Sequence, residues 1–397
     1  MPKPKLIRIT TVPLSLEKLL EGQLPFMQEQ FEVTAVSADE ARLKEFGEKN
    51  RIKVFPVEIT RKITPWQDVK ALVKLTFFLK REQSLIVHTH TPKAGIVGML
   101  AAKLAGVPIR LHTVAGLPLM EATGKKRVLL NAVEKMTYRC ATKVYPNSKG
   151  LYDFIEKEKF TKPSKLKIIG QGSSNGIDTS YFDPILFQVE TKQKLREELA
   201  ISPTDFVFVF VGRLVGDKGI NELISAFKNI EAQEKNRNIK LLLVGPLESE
   251  LDPLKKETLQ EMKENSNIIP VGYQEDVRPY FAISHALAFP SYREGFPNVV
   301  MQAGAMGLPA IVSDINGCNE IIDNKVNGLI IPSKKVKELQ EAMSLLIENS
   351  TLYRQLQEKS RAMIVSRYQR QEVWKSLLSE YQGLMRESNG LARSKNS

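Results

Sequence analysis

The sequence predicts an α/β protein of two Rossmann-like domains, each a parallel sheet covered by helices, and three observations carry that expectation. Short runs rich in β-branched and aromatic residues alternate with longer helix-periodic stretches through both halves, as strands joined by crossover helices do. The 397 residues exceed what one hydrophobic core ordinarily serves, so two domains are expected. The alternation also breaks near residues 178–204, where DTSYFDPILFQ leads into the charged stretch KQKLREELA and a Ser-Pro pair, and then restarts.

Taken in order, the strands expected in the first half are LIRITTV, FEVTAVS, KVFPVEI, SLIVHTH, PIRLHTV, TKVYPNS and KLKIIG. Between them lie amphipathic stretches such as WQDVKALVKLTFFLKRE and KAGIVGMLAAKLAG. The second half repeats the pattern with DFVFVFVG, IKLLLVG, NIIPVGY, ALAFPS, PAIVSD and GLIIPS. The expected domains are residues 1–180 and 181–372. Residues 373–397 follow as a closing helix, with Trp374, Leu377, Leu378 and Tyr381 on one face and a frayed polar tail after Asn389. Facing sheets of this kind bring strand carboxyl ends to one cleft, and chemistry is expected there.

Composition excludes several classes. With 42% hydrophobic and 26% charged residues the chain is neither disordered nor fibrous. No uncharged apolar run approaches the roughly 18 residues that cross a bilayer. The N-terminal MPKPKLIRITTV runs straight into a strand pattern without an apolar signal region, so a cytoplasmic location is expected. Cys140 and Cys318 stand apart from other metal ligands and read as buried free thiols, which suits a reducing compartment. The net charge of +12 is placed unevenly: residues 1–180 carry +13 and the remainder −1. That asymmetry suits an anionic partner, whether a membrane surface, a diphosphate-bearing substrate or nucleic acid, but no nucleic-acid-binding motif accompanies it.

Two segments carry the chemistry. In FVFVFVGRLVGDKGI a buried strand ends at Gly212, Arg213 follows, and Lys218 precedes a helix beginning near Gly219. Two cations at such a turn, beside a positive helix start, can close on a diphosphate. In FPSYREGFPNVVMQAGAMGLPAIVSD a loop presents Arg293, Glu294 and Gly295 before Pro297 opens a helix that contains Gln302. The amides of Phe296, Asn298 and Val299 are the free first-turn donors there, and Pro297 has none.

Together these segments resemble the retaining glycosyltransferases of family 4, which have the GT-B architecture. The resemblance extends over VHTH at 87–90, SNGID at 174–178 and VGY at 271–273 with the acidic stretch behind it. It implies an acceptor-binding first domain, with Ser15, Gly22, His90 and Asn175 on the acceptor side. It implies a nucleotide-sugar-binding second domain, with Gly212 and Tyr273 beside the donor and a closing helix that returns to the first domain. In such enzymes the residues matching Arg213 and Lys218 bind the donor diphosphate, while the two carboxylates of an E-x7-E element hold the sugar and the ribose.

This sequence departs from the pattern twice. The second carboxylate position is Gln302, whose amide lacks the charge-assisted grip of a carboxylate on ribose hydroxyls. HTVAG at 112–116 has Ala115 where many relatives place a catalytic histidine, leaving His112 as the substitute or the role empty.

Other signals are weaker. His88 and His90 share a strand face but have no third ligand near in sequence, and His285 reads as structural. No D-x-D pair is present to clamp a metal-bound donor, so no metal or cofactor is expected and the cations must neutralise the leaving diphosphate. GQGSSNG at 170–176 is a poor match to a dinucleotide fingerprint and runs into a turn. The helix at 125–139 suits a membrane surface and a core-facing position equally. The reaction expected from the resemblance is transfer of a hexosyl unit from a nucleotide-diphosphate sugar, with UDP-sugar as the expected donor, to a glycan acceptor, free or lipid-diphosphate-linked, in bacterial surface polysaccharide synthesis. A UDP-sugar epimerase of the same architecture and a non-enzymatic basic binding protein are the alternatives.

Overall fold

The computed structural model describes residues 2–60, 64–120, 122–233, 238–248, 250 and 252–394. Two compact units make up the chain: Met1–Gly176 with Arg370–Ser397, and Ile177–Gln369.

The first unit holds the strands β1 (Lys5–Ile9), β2 (Glu32–Ser37), β3 (Lys53–Pro56), β4 (Ile86–His90), β5 (Ile109–Val114) and β6 (Lys143–Pro146). Its helices are α1 (Pro13–Leu19), α2 (Gln23–Met27), α3 (Glu40–Asn50), α4 (Pro65–Glu82), α5 (Pro92–Leu104), α6 (Gly124–Cys140) and α7 (Lys149–Lys157). All strand pairs are parallel, in the order β3-β2-β1-β4-β5-β6. Helices cover both faces, which is why every residue of β4 is buried although its sequence IVHTH is partly polar. The closing helix, α16 (Arg370–Ser394), belongs to this unit. It buries Leu377 and Tyr381 against Leu6, Leu24 and Phe31, on the opposite side of the sheet from the core built around α5. The helix continues past Asn389, where the sequence suggests fraying.

KLKIIG, expected as a seventh strand, is not one. Leu166 makes an isolated bridge to Val144, and the chain then turns through Gly170 and Gly172, both at positive φ.

The second unit contains β7 (Phe206–Val211), β8 (Ile239–Val244), β9 (Ile268–Gly272), β10 (Ala286–Phe289), β11 (Ala310–Ser313) and β12 (Gly328–Ile331). Its helices are α8 (Val189–Glu198), α9 (Ile220–Gln233), α10 (Lys256–Glu264), α11 (Arg278–Ala282), α12 (Asn298–Ala305), α13 (Cys318–Ile321), α14 (Val336–Glu348) and α15 (Ser350–Tyr368). The order is β12-β11-β10-β7-β8-β9, again parallel, around one continuous core. Both sheets therefore have a point where the winding reverses, between β1 and β4 in the first and between β7 and β10 in the second, and such points open a crevice at the strand carboxyl ends. Among the described residues no helix is long and apolar enough to cross a membrane.

Candidate active site

At the reversal point of the second sheet, the loops after β7 and β10 are joined by side chains from both. Lys218 lies in a 3-10 turn, Gly216–Lys218, and its ammonium donates to Glu294 Oε1 at 2.5 Å. Both side chains are largely shielded, at 16% and 17% exposure, so each depends on the other for neutralisation. Ser291 Oγ donates to the same carboxylate oxygen at 2.9 Å. A second pair, Arg293 to Asp217 at 3.0 Å, ties the loops again, as does the Tyr292 amide donating to the Asp217 carbonyl. Gly219 permits this approach. It sits at φ 73°, and a Cβ there would stand 2.2 Å from the carbonyl oxygen of Pro290.

Arg213 reaches the other way, donating to Glu248 beyond β8 at 3.1 Å, with the two side chains 42% and 34% exposed. Gly212 was expected beside the donor, but its amide is committed to the sheet, donating to Val244 O at 2.9 Å. Tyr273 stands well exposed beyond β9.

On the far side of β10, Pro297 is the residue before α12, which leaves the first-turn amides of Asn298 and Val299 without intrahelical acceptors. Gly295 and Phe296 form the approach, with Phe296 buried edge-on against Tyr368 at 5.4 Å. Gln302 is half-buried in the second turn of α12, and among the described residues no protein hydrogen bond engages its side-chain amide. The loop is held from below by Asn316, whose Nδ2 donates to the carbonyls of Glu294 and Gly295 at 3.1 and 2.7 Å. Burial, and then the nearby Glu294 carboxylate, push the Cys318 thiol up, so it stays protonated.

The second unit thus gathers Lys218, Glu294, Arg293 and the start of α12 at one reversal point, with Arg213 just beyond the carboxyl end of β7. Two cations and a helix start can receive a diphosphate, and Glu294 can accept from hydroxyls. The Lys218–Glu294 bond itself is new information. Sequence reading sets these residues against different parts of the donor, and the fold binds them to each other.

In the first unit the structure corrects three expectations. His112 is 3% exposed; its Nδ1 lies 2.8 Å from Thr89 Oγ1, and its ring fills the space left by Gly95 of α5, where a Cβ would stand 2.5 Å from Cε1. Burial lowers its pKa to about 4, so it is a neutral packing residue enclosed between sheet and helix, not a group presented to a substrate. His90 is likewise enclosed, with Nε2 2.8 Å from Arg8 Nη2. Because arginine can only donate, Nε2 is the acceptor and the ring is neutral. Asn175 spends its amide on the fold: Oδ1 accepts from Gln23 and Trp374 at 3.0 and 2.6 Å, and Nδ2 donates to Glu21 O. Gly22 precedes α2 at φ 74°, packed against Trp374. Ser15 is half-buried on α1 and lines a cavity with Thr11 and Thr91.

His90 and Gln23 both bond to Arg8, which sequence reading passed over. It is fully buried, and its Nη1 donates to Tyr381 at 3.0 Å. The Tyr381 hydroxyl also lies 2.5 Å from His88 Nδ1, and His88 Nε2 lies 2.7 Å from Thr113 Oγ1, a hydrogen-bonded chain that fixes α16 to the sheet. A lone arginine inside the apolar run LIRIT was the available signal. Asp217, Ser291, Glu248 and Asn316 were also missed, because each is an ordinary loop residue until the strand ends assemble. Among the described residues no group of three His, Cys, Asp or Glu side chains is placed to hold a metal ion.

Comparison with known proteins agrees with this geometry. Residues 26–172 match the family described as "Glycosyl transferase 4-like domain", and residues 191–363 match "Glycosyl transferases group 1". The chain is 32% identical over 392 residues to the capsular polysaccharide biosynthesis glycosyltransferase CapM of Staphylococcus aureus, covering 98% of this chain and 100% of that one. It is 29% identical over 326 residues to the UDP-Gal:alpha-D-GlcNAc-diphosphoundecaprenol alpha-1,3-galactosyltransferase of Escherichia coli, 82% of each. Among solved structures, Anabaena Alr3699/HepE in complex with UDP and glucose matches with a TM-score of 0.79 at 19% identity, over 96% of this chain and 100% of that one. That likeness makes the fold class GT-B.

Proposed function

The chain belongs to the glycosyl transferase group 1 family and is a glycosyltransferase; from that premise we propose that it moves a hexosyl unit from a UDP-sugar to a hydroxyl of a glycan carried on a lipid diphosphate, with retention at the anomeric carbon. The observation that carries this reading is the meeting of Lys218, Glu294 and the start of α12 at the reversal point of the second sheet, with Arg213 just beyond the end of β7. The Escherichia coli relative, named for a UDP-galactose donor and a diphosphoundecaprenol-linked acceptor, supports the choice of substrates. The Staphylococcus aureus relative supports a place in surface polysaccharide synthesis.

In this reading Arg213 and Lys218 stabilise the charge that develops on the departing diphosphate, Glu294 orients the sugar, and Gln302 holds the ribose. The acceptor oxygen forms its bond to the anomeric carbon on the face from which the phosphate oxygen leaves. The acceptor's proton passes to that phosphate, so the products are the glycoside and UDP. Fixed cations and the helix start do the work of a divalent metal. The basic residues 1–180 favour work at the cytoplasmic face of an anionic membrane.

The test is release of UDP from a panel of nucleotide sugars with and without lipid-diphosphate-linked glycans, in chelator, with the product's anomeric configuration read by NMR. Acceptor-dependent UDP release that survives chelation, with retention, is the expected result. Dependence on added manganese, an inverted product, or interconversion of UDP-sugars without an acceptor would each overturn it.

A further inference from the structure

We infer that a cavity between α4, α5 and α6 of the first unit holds the hydrocarbon chain of the lipid-linked acceptor, with its anionic end at the Thr11–Thr91 edge. This rests on the preceding reading that the acceptor is lipid-linked.

The cavity, about 670 Å³, opens at the reversal point of the first sheet, where the Thr11 and Thr91 hydroxyls lie 2.7 Å apart just beyond β1 and β4. Its volume falls inside the range of about 300–1,000 Å³ usual for small-molecule sites. The three helices each connect parallel strands of one sheet, so all run in one direction, with their starts at the strand carboxyl ends. Their lining residues change character along that direction. On α4 Asp68 is followed by Leu72, on α5 Lys93 by Ile96 and Leu100, and on α6 Lys126 by Leu130 and Val133. The mouth is polar and the interior apolar.

Charge at the mouth fits an anion. Asp68 is already paired with Lys93 at 2.5 Å, which leaves Lys126 as surplus positive charge on the lining. Among the described residues the inner lining, Leu72, Ile96, Leu100, Leu130 and Val133, offers no polar group to orient a flat or hydrogen-bonding ligand, which suits a featureless chain. The outer surface continues the apolar path. Trp66, Val69, Val73 and Phe77 follow one another at helical spacing along α4 and are 84, 52, 48 and 70% exposed, where a surface helix ordinarily turns polar residues outward. Val128 of α6 is also 69% exposed. A chain longer than the cavity can therefore lie along this face.

The experiment compares transfer in detergent to two acceptors with the same glycan diphosphate, one on an undecaprenyl chain and one on a short alkyl chain. Val133→Trp and Leu72→Trp fill the cavity from opposite walls, and thermal unfolding verifies that each folds. The expected result is a rise of about tenfold in the ratio of the long-chain KM to the short-chain KM, the equivalent of displacing about two methylene contacts. An unchanged ratio in both folded variants overturns the inference while leaving glycosyl transfer standing. Failure of the wild type to use either acceptor overturns the reading beneath it. If the variants instead lose sedimentation with phosphatidylglycerol vesicles at an unchanged ratio, the cavity serves bilayer lipid and the inference fails.

Discussion

Replacing Lys218 separates its structural role from its chemical one. In Lys218→Met the Glu294 carboxylate, 17% exposed, keeps among the described residues only Ser291 as a donor and becomes a poorly solvated charge. Leaving a shielded polar partner unmatched costs about 1–3 kcal/mol, below the 3–5 kcal/mol of a fully buried pair because solvent still reaches both groups. For a unit of this size that is a fall in melting temperature of about 2–4 °C per kcal/mol. Adding Glu294→Gln removes the stranded charge, and the double variant should recover most of the stability. Turnover should behave oppositely. It falls about 10²-fold or more in Lys218→Met, as for loss of a transition-state charge donor, and the double variant does not recover it. Calorimetry and UDP release on the three proteins give both numbers. If the double variant regains turnover along with stability, or Lys218→Met is nearly as active as wild type, Lys218 is a structural tether and the assignment is wrong.

Arg213→Ala should also cost about 10²-fold in turnover, with a stability change of at most about 1 kcal/mol in calorimetry, since its bond to Glu248 is exposed. Asn316→Ala frees the Glu294 and Gly295 carbonyls and should raise the donor KM; Asn316→Asp, which sets a carboxylate against them, should raise it further, and equal KM values in both would deny Asn316 a positioning role. Burial raises the Glu134 pKa to about 7, so its contribution is present below the unfolded value near 4.5 and is lost as pH rises through 7. Glu134→Gln should accordingly stabilise the chain at pH 8 by up to about 3 kcal/mol and do little at pH 4.5, as read by denaturant titration. His112 and His285, both lowered to about 4 by burial, work in the other direction: stability is complete above pH 6.5 and falls toward pH 4, and His285→Asn should flatten part of that slope in thermal melts.

The loops after β7 and β10 were legible as local structure because their constraints are local. A strand end, a glycine turn and a proline-led helix occupy fixed positions in sequence, so the cations between them are placed at the strand end. The acceptor side was read less well. VHTH and SNGID look like cleft residues, but His90 and Asn175 are absorbed by Arg8, Gln23 and Trp374, groups up to 199 residues distant in the chain. Their partners come from β1, α2 and α16, which no local pattern links to VHTH or SNGID.

Periodicity and residue type alone determined the alternation of strands and helices and the two parallel sheets, since these follow from backbone propensity and from apolar repeats along one chain. Only the tertiary structure decided that Lys218 and Glu294 bond to each other, that His112 is sealed beneath α5, that KLKIIG is not a strand and that a cavity opens beside Thr91. Each of these depends on which distant surfaces come within a hydrogen bond or a van der Waals contact of one another. A one-dimensional pattern does not encode that choice until the sheets are wound.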